Sequence, residues 1–327
     1  MKILITGVAG FIGFHLSQHL LKENFDIVGI DNINDYYDLN LKTDRLKILN
    51  NSNLNFKKIN IADKIRVDEV FNIERPSVVI HLAAQAGVRF SINNPYEYIT
   101  SNIVGFQNII ENCRRFNVKH FMYASSSSVY GLNEKTPFTE TDITDKPANL
   151  YGVTKKSNEL VAYSYSNLYL LPTTGLRFFT VYGPWGRPDM AYFKFTKKII
   201  EGKPINIYGN GDMYRDFTYI DDVINAITKL ITIVPSLKND KKTKSVPAEI
   251  YNIGNNNAEL LENFIKIIED TIGLKAIKNY MPMQKGDIYK TYANIDKLKK
   301  LIDFKPVTNI DKGLPLFIDW FKNNYKS

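Results

Sequence analysis

The amino terminus decides the fold of this chain, and it reads Met1-Lys2-Ile3-Leu4-Ile5-Thr6-Gly7-Val8-Ala9-Gly10-Phe11-Ile12-Gly13. A short apolar strand leads into three glycines, and a helical pattern of leucines follows. Strand, glycine turn and helix in this order are what a pyrophosphate site needs. In such a site Gly7 permits the tight turn, Gly10 lets the backbone approach the phosphates, and Gly13 lets the helix pack on the strand.

A second strand is predicted over Asp26–Ile30, and Asp31 stands at its end. A carboxylate at this position accepts hydrogen bonds from an adenosine ribose and repels a 2′-phosphate. The amino-terminal segment therefore predicts a dinucleotide site that takes NAD rather than NADP.

Strands and helices alternate through the first half of the chain. The pattern predicts strands over Val78–Ala83, Lys119–Ser125 and Thr173–Phe178, and helices over Tyr98–Phe116 and Tyr151–Leu168. Repeated β-α units indicate an α/β fold with a Rossmann-like, doubly wound parallel sheet.

The alternation fades after Tyr182-Gly183-Pro184-Trp185-Gly186, which predicts a second, smaller α/β domain at the carboxyl end. Residues 1–180 are expected to bind NAD, with 216–231 rejoining that domain, and residues 181–215 and 232–327 to bind the substrate. The lysine-rich stretch Lys238–Pro247 is predicted to be a disordered loop.

Composition narrows the function classes. The net charge is +8, but the lysines are scattered, which argues against nucleic acid as a partner. No apolar run approaches the ~20 residues of a membrane span, and the four histidines show no metal-ligand spacing, so neither a membrane nor a metal is predicted. The single cysteine, Cys113, fits a reducing cytoplasm.

Tyr151 and Lys155 lie four residues apart in a predicted helix. Positions i and i+4 share a helix face, so the phenol and the ammonium are expected in one site. A nearby cation favours the phenolate, which predicts that Tyr151 acts as a base near neutral pH.

These motifs, together with Ser125-Ser126-Ser127-Ser128-Val129-Tyr130-Gly131, resemble the extended short-chain dehydrogenase/reductase family. In that family the tyrosine and lysine face the nicotinamide, and a serine or threonine on the preceding strand completes the triad. The resemblance makes Ser126 the third catalytic residue beside Tyr151 and Lys155.

Further blocks resemble the nucleotide-sugar 4-epimerases of this family that act on UDP-glucuronate. They are His81-Leu82-Ala83-Ala84-Gln85-Ala86-Gly87-Val88-Arg89, Val181-Tyr182-Gly183-Pro184-Trp185-Gly186-Arg187-Pro188-Asp189-Met190, Tyr214-Arg215-Asp216-Phe217-Thr218-Tyr219-Ile220-Asp221-Asp222, and Gly286-Asp287 followed by Tyr292-Ala293. The implied activity is C4 epimerisation of UDP-glucuronate to UDP-galacturonate through a transient 4-keto sugar. The implied assembly is a homodimer that packs the two helices containing Tyr98–Phe116 and Tyr151–Leu168.

The resemblance also implies the binding residues. The cofactor contacts would be Gly7, Gly10, Phe11, Ile12, Gly13, Asp31, Asn32, Ile61, Leu82, Ala83, Ala84, Asn102, Tyr151 and Lys155. The substrate contacts would be Arg89, Ser126, Ser127, Ser128, Tyr151, Arg187, Arg215, Asn252 and Asp287. Among these, Arg215 would hold the UDP phosphates, Asp287 and Asn252 the uridine end, and Arg89 or Arg187 the sugar carboxylate.

Three alternatives remain open at this point. UDP-glucuronate decarboxylases resemble this fold but have a glutamate where this chain has Ser128. Epimerases of UDP-galactose have an arginine where this chain has Gln284, which weakens the reading that another UDP-sugar is the substrate. A nucleotide-sensing binding protein on the same scaffold tends to lose the tyrosine or the lysine, and here both are present.

Overall fold

A seven-stranded, all-parallel sheet forms the centre of the computed structural model, which describes residues 1–50, 52, 54–237, 245–284 and 286–325. From one edge to the other, its strands are β3 (Asn55–Lys58), β2 (Asp26–Asp31), β1 (Lys2–Thr6), β4 (Val78–His81), β5 (His120–Ser126), β6 (Thr173–Phe178) and β10 (Ala248–Ile253). The strand order reverses between β1 and β4, so the predicted doubly wound Rossmann-like sheet is confirmed.

Helices cover both faces of this sheet. Their bounds are α1 Phe11–Lys22, α2 Leu39–Asn50, α3 Lys64–Glu74, α4 Val88–Asn93, α5 Pro95–Tyr98, α6 Phe106–Arg115, α7 Leu150–Tyr169, α8 Ala191–Ile200, α9 Ile220–Ile231, α10 Leu261–Ile272, α11 Asp296–Ile302 and α12 Ile310–Asn324. Side chains alternate along β1, so Ile3 and Ile5 pack with α1 and α2, whereas Leu4 packs with α3 and α6 on the other face.

The long helix predicted from Tyr98 to Phe116 is divided. It begins with α5, continues as a π-helix over Ile99–Gly105, and ends with α6. Apolar periodicity does not distinguish i→i+5 from i→i+4 bonding over so short a stretch, which is why the sequence pattern predicted a single α-helix.

Strand β10 corrects the predicted domain division. It pairs in parallel with β6, from Ala248 opposite Thr173 to Ile253 opposite Phe178, and so belongs to the central sheet. The range 232–327 therefore does not lie wholly in a second domain. This pairing is a long-range contact that local sequence patterns do not encode.

Smaller elements complete the carboxyl-terminal half. Strands β7 (Thr180–Tyr182), β9 (Tyr214–Tyr219) and β11 (Ala258–Leu260) form one sheet, and β8 (Ile205–Tyr208) pairs with β12 (Lys278–Met281). Helix α9 packs against α1 of the first half. Of the predicted disordered loop Lys238–Pro247, residues 238–244 lie outside the described residues.

None of the helices within the described part of the chain is both long enough and apolar enough to cross a bilayer.

Candidate active site

A cavity of about 420 Å³ lies where the central strands end. The glycine turn after β1, the ends of β2, β4 and β5, the start of α7 and the loop before α8 all contribute to its wall. This is the place where doubly wound sheets bind ligands, since the connections of neighbouring strands diverge at the reversal point.

The glycine turn leaves no room for side chains. Gly7 has a φ of 75°, which favours glycine, and a Cβ there would lie 2.7 Å from the backbone nitrogen of Ala83. A Cβ on Gly13 would lie 2.1 Å from the Gly7 carbonyl oxygen. Helix α1 has no side-chain cap, so its first amides are free to bind an anion. This cradle fits the pyrophosphate of a dinucleotide.

Asp31 ends β2 beside this turn. Its carboxylate accepts hydrogen bonds from the backbone N–H of Ala9 at 3.0 Å and of Ile33 at 2.8 Å, which fix its orientation. Burial raises its pKa, and these bonds and the nearby Lys42 act against that rise. Each oxygen keeps a lone pair that can accept a ribose hydroxyl.

Tyr151, Lys155 and Ser126 meet in the cavity. Asn149 caps α7 by accepting a hydrogen bond from the Gly152 N–H at 2.9 Å, and the helix then directs Tyr151 and Lys155 toward the end of β5. Burial raises the pKa of the Tyr151 phenol, while a hydrogen bond with Ser126 and the charge of Arg187 lower it.

Lys155 lines the same cavity and is held by β5. The Lys155 ammonium donates to the Ala124 carbonyl oxygen at 2.8 Å, and burial lowers its pKa to about 8. The net pKa shift of Tyr151 is upward, because burial outweighs the hydrogen bond with Ser126 and the charge of Arg187. Desolvation disfavours the charged forms of both residues.

Arg187 lines the cavity and is held by an acid two residues away. Its Nε lies 3.0 Å from Asp189 Oδ1 and its Nη2 lies 2.5 Å from Asp189 Oδ2, while Tyr36 donates to the same carboxylate at 3.2 Å. Burial opposes the charge of Arg187, but Asp189 raises its pKa, so the guanidinium stays ionised. Within the described residues, Nη1 donates no hydrogen bond to Asp189 and remains available to a second anion.

Arg215 also lines the cavity, and within the described ranges no carboxylate lies at ion-pair distance from it. Its Nη1 donates to the carbonyl oxygens of Tyr214 and Tyr289 at 2.8 and 3.0 Å. Burial lowers its pKa to about 10. A buried cation without a bonded acid is an anion-binding group, and a diphosphate would satisfy it.

Arg89 and Asp287 form an ion pair with a 3.0 Å separation. The guanidinium of Arg89 also stacks on Tyr208, 4.5 Å from the ring centre, and its side chain is half exposed. Asp287 lines the cavity, but Arg89 is not among the lining residues. The ion pair with Asp287 therefore holds Arg89 outside the cavity in which a sugar carboxylate is expected to bind.

Asn102 and Asn252, two of the predicted contacts, are buried in the scaffold and do not line the cavity. The carboxamide of Asn102 accepts from the Gln85 N–H and donates to the Gln85 carbonyl and the Thr154 hydroxyl, so it braces the cavity wall from behind. Asn252 lies in β10 and is completely buried. Its side chain bonds Tyr130, Phe138 and Asn294.

Apart from Arg89, the other predicted residues line the cavity. They are Gly7, Gly10, Phe11, Ile12, Gly13, Asp31, Asn32, Ile61, Leu82, Ala83, Ala84, Ser126, Ser127, Ser128, Tyr151, Lys155, Arg187, Arg215 and Asp287.

Sequence reasoning missed the contribution of α2 and the loop before it. Tyr36 and Lys42 line the cavity, and Arg45 is buried behind it. Arg45 donates to the Ala9 carbonyl in the glycine turn at 2.8 Å and to the Trp185 carbonyl at 2.5 Å. It thus joins the cofactor cradle to the loop that contains Arg187. Nothing in the sequence around Arg45 distinguishes it from a surface arginine on a helix, so the sequence alone does not predict this role.

Fold and site together define a class of protein: a Rossmann-fold enzyme with a dinucleotide cradle next to a buried tyrosine-lysine-serine group. The chain belongs to the NAD dependent epimerase/dehydratase family, whose sequence model matches residues 3–254. This match ends just after β10 and so covers the whole central sheet.

Individual relatives match over nearly the full length. Protein CapI of Staphylococcus aureus is 53% identical, with all of both chains covered. A probable UDP-glucuronate 4-epimerase of Rhizobium meliloti is 46% identical, covering 100% of this chain and 98% of the relative.

The structure is similar to a solved UDP-glucuronic acid 4-epimerase from Bacillus cereus in complex with UDP-glucuronic acid and NAD. The TM-score is 0.90 at 36% identity, covering 99% of this chain and 100% of the other. A tyrosine-to-phenylalanine variant of that enzyme, in complex with NAD and a 4-deoxy-4-fluoro analogue of UDP-glucuronic acid, gives a TM-score of 0.89.

Proposed function

We propose that this chain is a UDP-glucuronate 4-epimerase, which uses NAD to convert UDP-glucuronate to UDP-galacturonate through a 4-keto sugar. One observation carries the proposal: a single cavity holds the tyrosine-lysine-serine group, an arginine with a free edge (Arg187) and a half-buried arginine that has no ion-pair partner among the described residues (Arg215). Relatives named for this activity, and a solved relative with both ligands, support it.

The cavity offers binding groups for the phosphates and ribose of NAD and for the UDP part of the substrate. The turn Gly7–Gly13 and the first amides of α1 suit the pyrophosphate of NAD, and Asp31 suits its adenosine ribose. Arg215 suits the diphosphate of UDP, with Asp287 toward the uridine. We propose that residues 1–180 bind NAD. We propose that residues 181–215 and the part of 232–327 outside β10 bind the sugar.

In the proposed reaction, Tyr151 removes the proton from the C4 hydroxyl, and Ser126 holds the C4 oxygen. NAD held by the glycine turn and Asp31 would supply the acceptor for the C4 hydride and the donor that restores it on the opposite face, so the reaction would have no net redox change. Lys155 supplies positive charge beside the phenol and a donor for the ribose. Tyr151 returns its proton after the keto sugar has rotated.

The residues around the sugar also explain why the carboxylate would be retained. A 4-keto uronic acid is a β-keto acid, and it loses CO₂ when the bond to the carboxylate aligns with the carbonyl π system. Ser127 and Ser128 line the cavity in the turn after β5, and the free edge of Arg187 lies in the same cavity. These donors suit the carboxylate and would hold it out of that alignment.

An assay without added cofactor tests the proposal. Purified protein incubated with UDP-glucuronate is expected to form UDP-galacturonate, and an acid extract of the protein is expected to contain NAD, because a redox-neutral cycle favours a retained cofactor. Formation of UDP-pentose would indicate a decarboxylase, and turnover of UDP-glucose alone a different epimerase. Binding without turnover would indicate a sensor, and strict dependence on added NADP would contradict the role of Asp31.

The pH dependence of kcat follows from the two pKa shifts. Burial raises the pKa of Tyr151 and lowers that of Lys155 to about 8, so as the pH rises the first proton leaves this pair near pH 8. The pair with one proton includes the form in which Tyr151 is deprotonated and Lys155 is charged, and this form contains the base, so kcat is expected to increase with pH and to level off above about pH 8. In Lys155→Met only the phenol remains, and the increase should move up by about two pH units or more. An unchanged profile in the variant would contradict the pairing.

We also propose a homodimer that packs the helices spanning Tyr98–Phe116 and α7. The π-helix and α7 are neighbours and expose a band of large apolar side chains, which in a monomer would contact water. The band consists of Ile99, Val104, Val153, Leu160 and Tyr163. Light scattering is expected to give a mass twice that of the 37.6 kDa chain, and Leu160→Glu should reduce this mass to that of a single chain. A wild-type monomer at micromolar concentration would rule this dimer out.

We place the enzyme in the cytoplasm, because its one cysteine, Cys113, is buried and free, as in proteins of reducing compartments. Cell fractionation would test this location.

A further inference from the structure

One face of α7 contacts the end of β5 through the catalytic residues and through one further residue. Tyr151, Lys155 and Glu159 follow each other at four-residue intervals and so lie on the same face. Lys155 donates to the carbonyl of Ala124 at 2.8 Å, and Glu159 accepts a hydrogen bond from the Ser125 hydroxyl at 2.6 Å. Successive turns of the helix therefore hold successive residues of the strand.

Glu159 also binds the next strand. Arg177 in β6 donates to it through Nε at 2.8 Å and Nη2 at 2.9 Å, in a two-pronged ion pair in which both side chains are 3% exposed. Arg177 stands directly opposite Ser125 in the sheet. One buried carboxylate thus connects the catalytic helix to two adjacent central strands.

Neither Glu159 nor Arg177 lines the cavity, so neither is placed to contact the substrate. A buried ion pair also contributes little net stability compared with apolar packing, because both charges lose their hydration. Its position gives it a geometric effect instead, since the residue after Ser125 is the catalytic Ser126. Small errors in such geometry are costly: a displacement of ~1 Å lowers catalysis by about 10²-fold.

We propose that Glu159 is a positioning residue: by holding Ser125 and Arg177, its carboxylate fixes Ser126 against Tyr151. The inference rests on the proposed function, because Ser126 and Tyr151 are the groups that act on C4. Without the hydrogen bond to Ser125, the end of β5 is free to shift relative to α7, and the contact between Ser126 and Tyr151 loosens.

Ser125→Ala is the mildest test, because it removes one hydroxyl and leaves the ion pair of Glu159 intact. We expect kcat to fall about tenfold, with an unchanged KM for UDP-glucuronate and unchanged NAD content. The rise of kcat with pH should also shift upward, because the hydrogen bond from Ser126 lowers the pKa of Tyr151. Glu159→Gln keeps an oxygen that can accept from Ser125 but weakens the contact with Arg177, so it tests the second contact of the carboxylate and should also lower kcat. The two effects should not be additive, because both variants act through the same carboxylate.

Ser166→Ala is the matched control. Ser166 lies on the same helix, is equally buried, and bonds the Leu171 carbonyl and the Thr173 hydroxyl at 2.8 Å, far from the cavity. It should lower Tm by a similar amount and leave kcat and its pH profile unchanged.

The possible failures are distinguishable. If wild-type protein turns over UDP-glucuronate and Ser125→Ala keeps its kcat and pH profile while Tm falls as in Ser166→Ala, the bond is only structural and the inference is wrong. A raised KM with unchanged kcat would also overturn it, since the hydroxyl would then contact the substrate. A wild-type protein without turnover would overturn the proposed function itself, and the inference with it.

Discussion

Replacing Tyr151 with phenylalanine is expected to lower kcat by about 10²-fold or more, because it removes the general base and little else. The ring of Tyr151 packs edge-on against Tyr98, with centroids 6.1 Å apart, and phenylalanine keeps this contact. The helix is anchored independently by the Asn149 cap and by Lys155 on Ala124. The variant should therefore fold and retain NAD as the wild type does.

Turnover of UDP-glucuronate, with NAD content and Tm measured alongside, checks this expectation. Tyr169→Phe is the matched control, because Tyr169 lies at the end of the same helix, is half exposed and is outside the apolar band of the proposed dimer. It should behave as the wild type. A folded, NAD-loaded Tyr151→Phe protein with near wild-type turnover would remove Tyr151 from the mechanism.

Arg187→Ala is expected to weaken the binding of UDP-glucuronate far more than that of UDP-glucose, since only the former has a carboxylate. Loss of a charge-assisted bond in a shielded site costs about 1.5–3 kcal/mol, or roughly tenfold to more than a hundredfold in affinity. The structure adds a second cost, because Asp189 would lose its partner and repel the substrate anion. Arg187→Lys should give an intermediate loss, since it keeps the charge but not the planar fork.

Binding is best measured by calorimetry in the Tyr151→Phe background, where turnover is expected to be slower by about 10²-fold or more. Arg187→Ala combined with Asp189→Ala separates the two costs: selectivity for the carboxylate should stay lost, while the repulsion disappears. Arg89→Ala is the comparison, because Arg89 is half exposed and already paired with Asp287. Equal losses for both sugars in Arg187→Ala, or a selective loss in Arg89→Ala, would move the carboxylate site away from Arg187.

The sequence by itself determined the features that depend on short spacings. Three glycines after an apolar strand are sufficient to predict the cradle, because a Cβ at Gly7 or Gly13 would collide with the backbone. The four-residue interval between Tyr151 and Lys155 places both on one helix face whatever the surroundings. Alternating β and α segments likewise predicted the parallel sheet, since parallel strands need crossover connections.

Only the tertiary structure decided which polar residues reach the cavity and in what state. Asn252 is a structural residue because β10 inserts beside β6, and Arg45 is a brace because α2 packs beneath the glycine turn. The raised pKa of Tyr151 and the pairing of Arg187 with Asp189 depend on burial and on distances of a few ångströms. The burial of a side chain and the charges around it depend on many neighbours that are remote in the sequence, so no local sequence pattern specifies them.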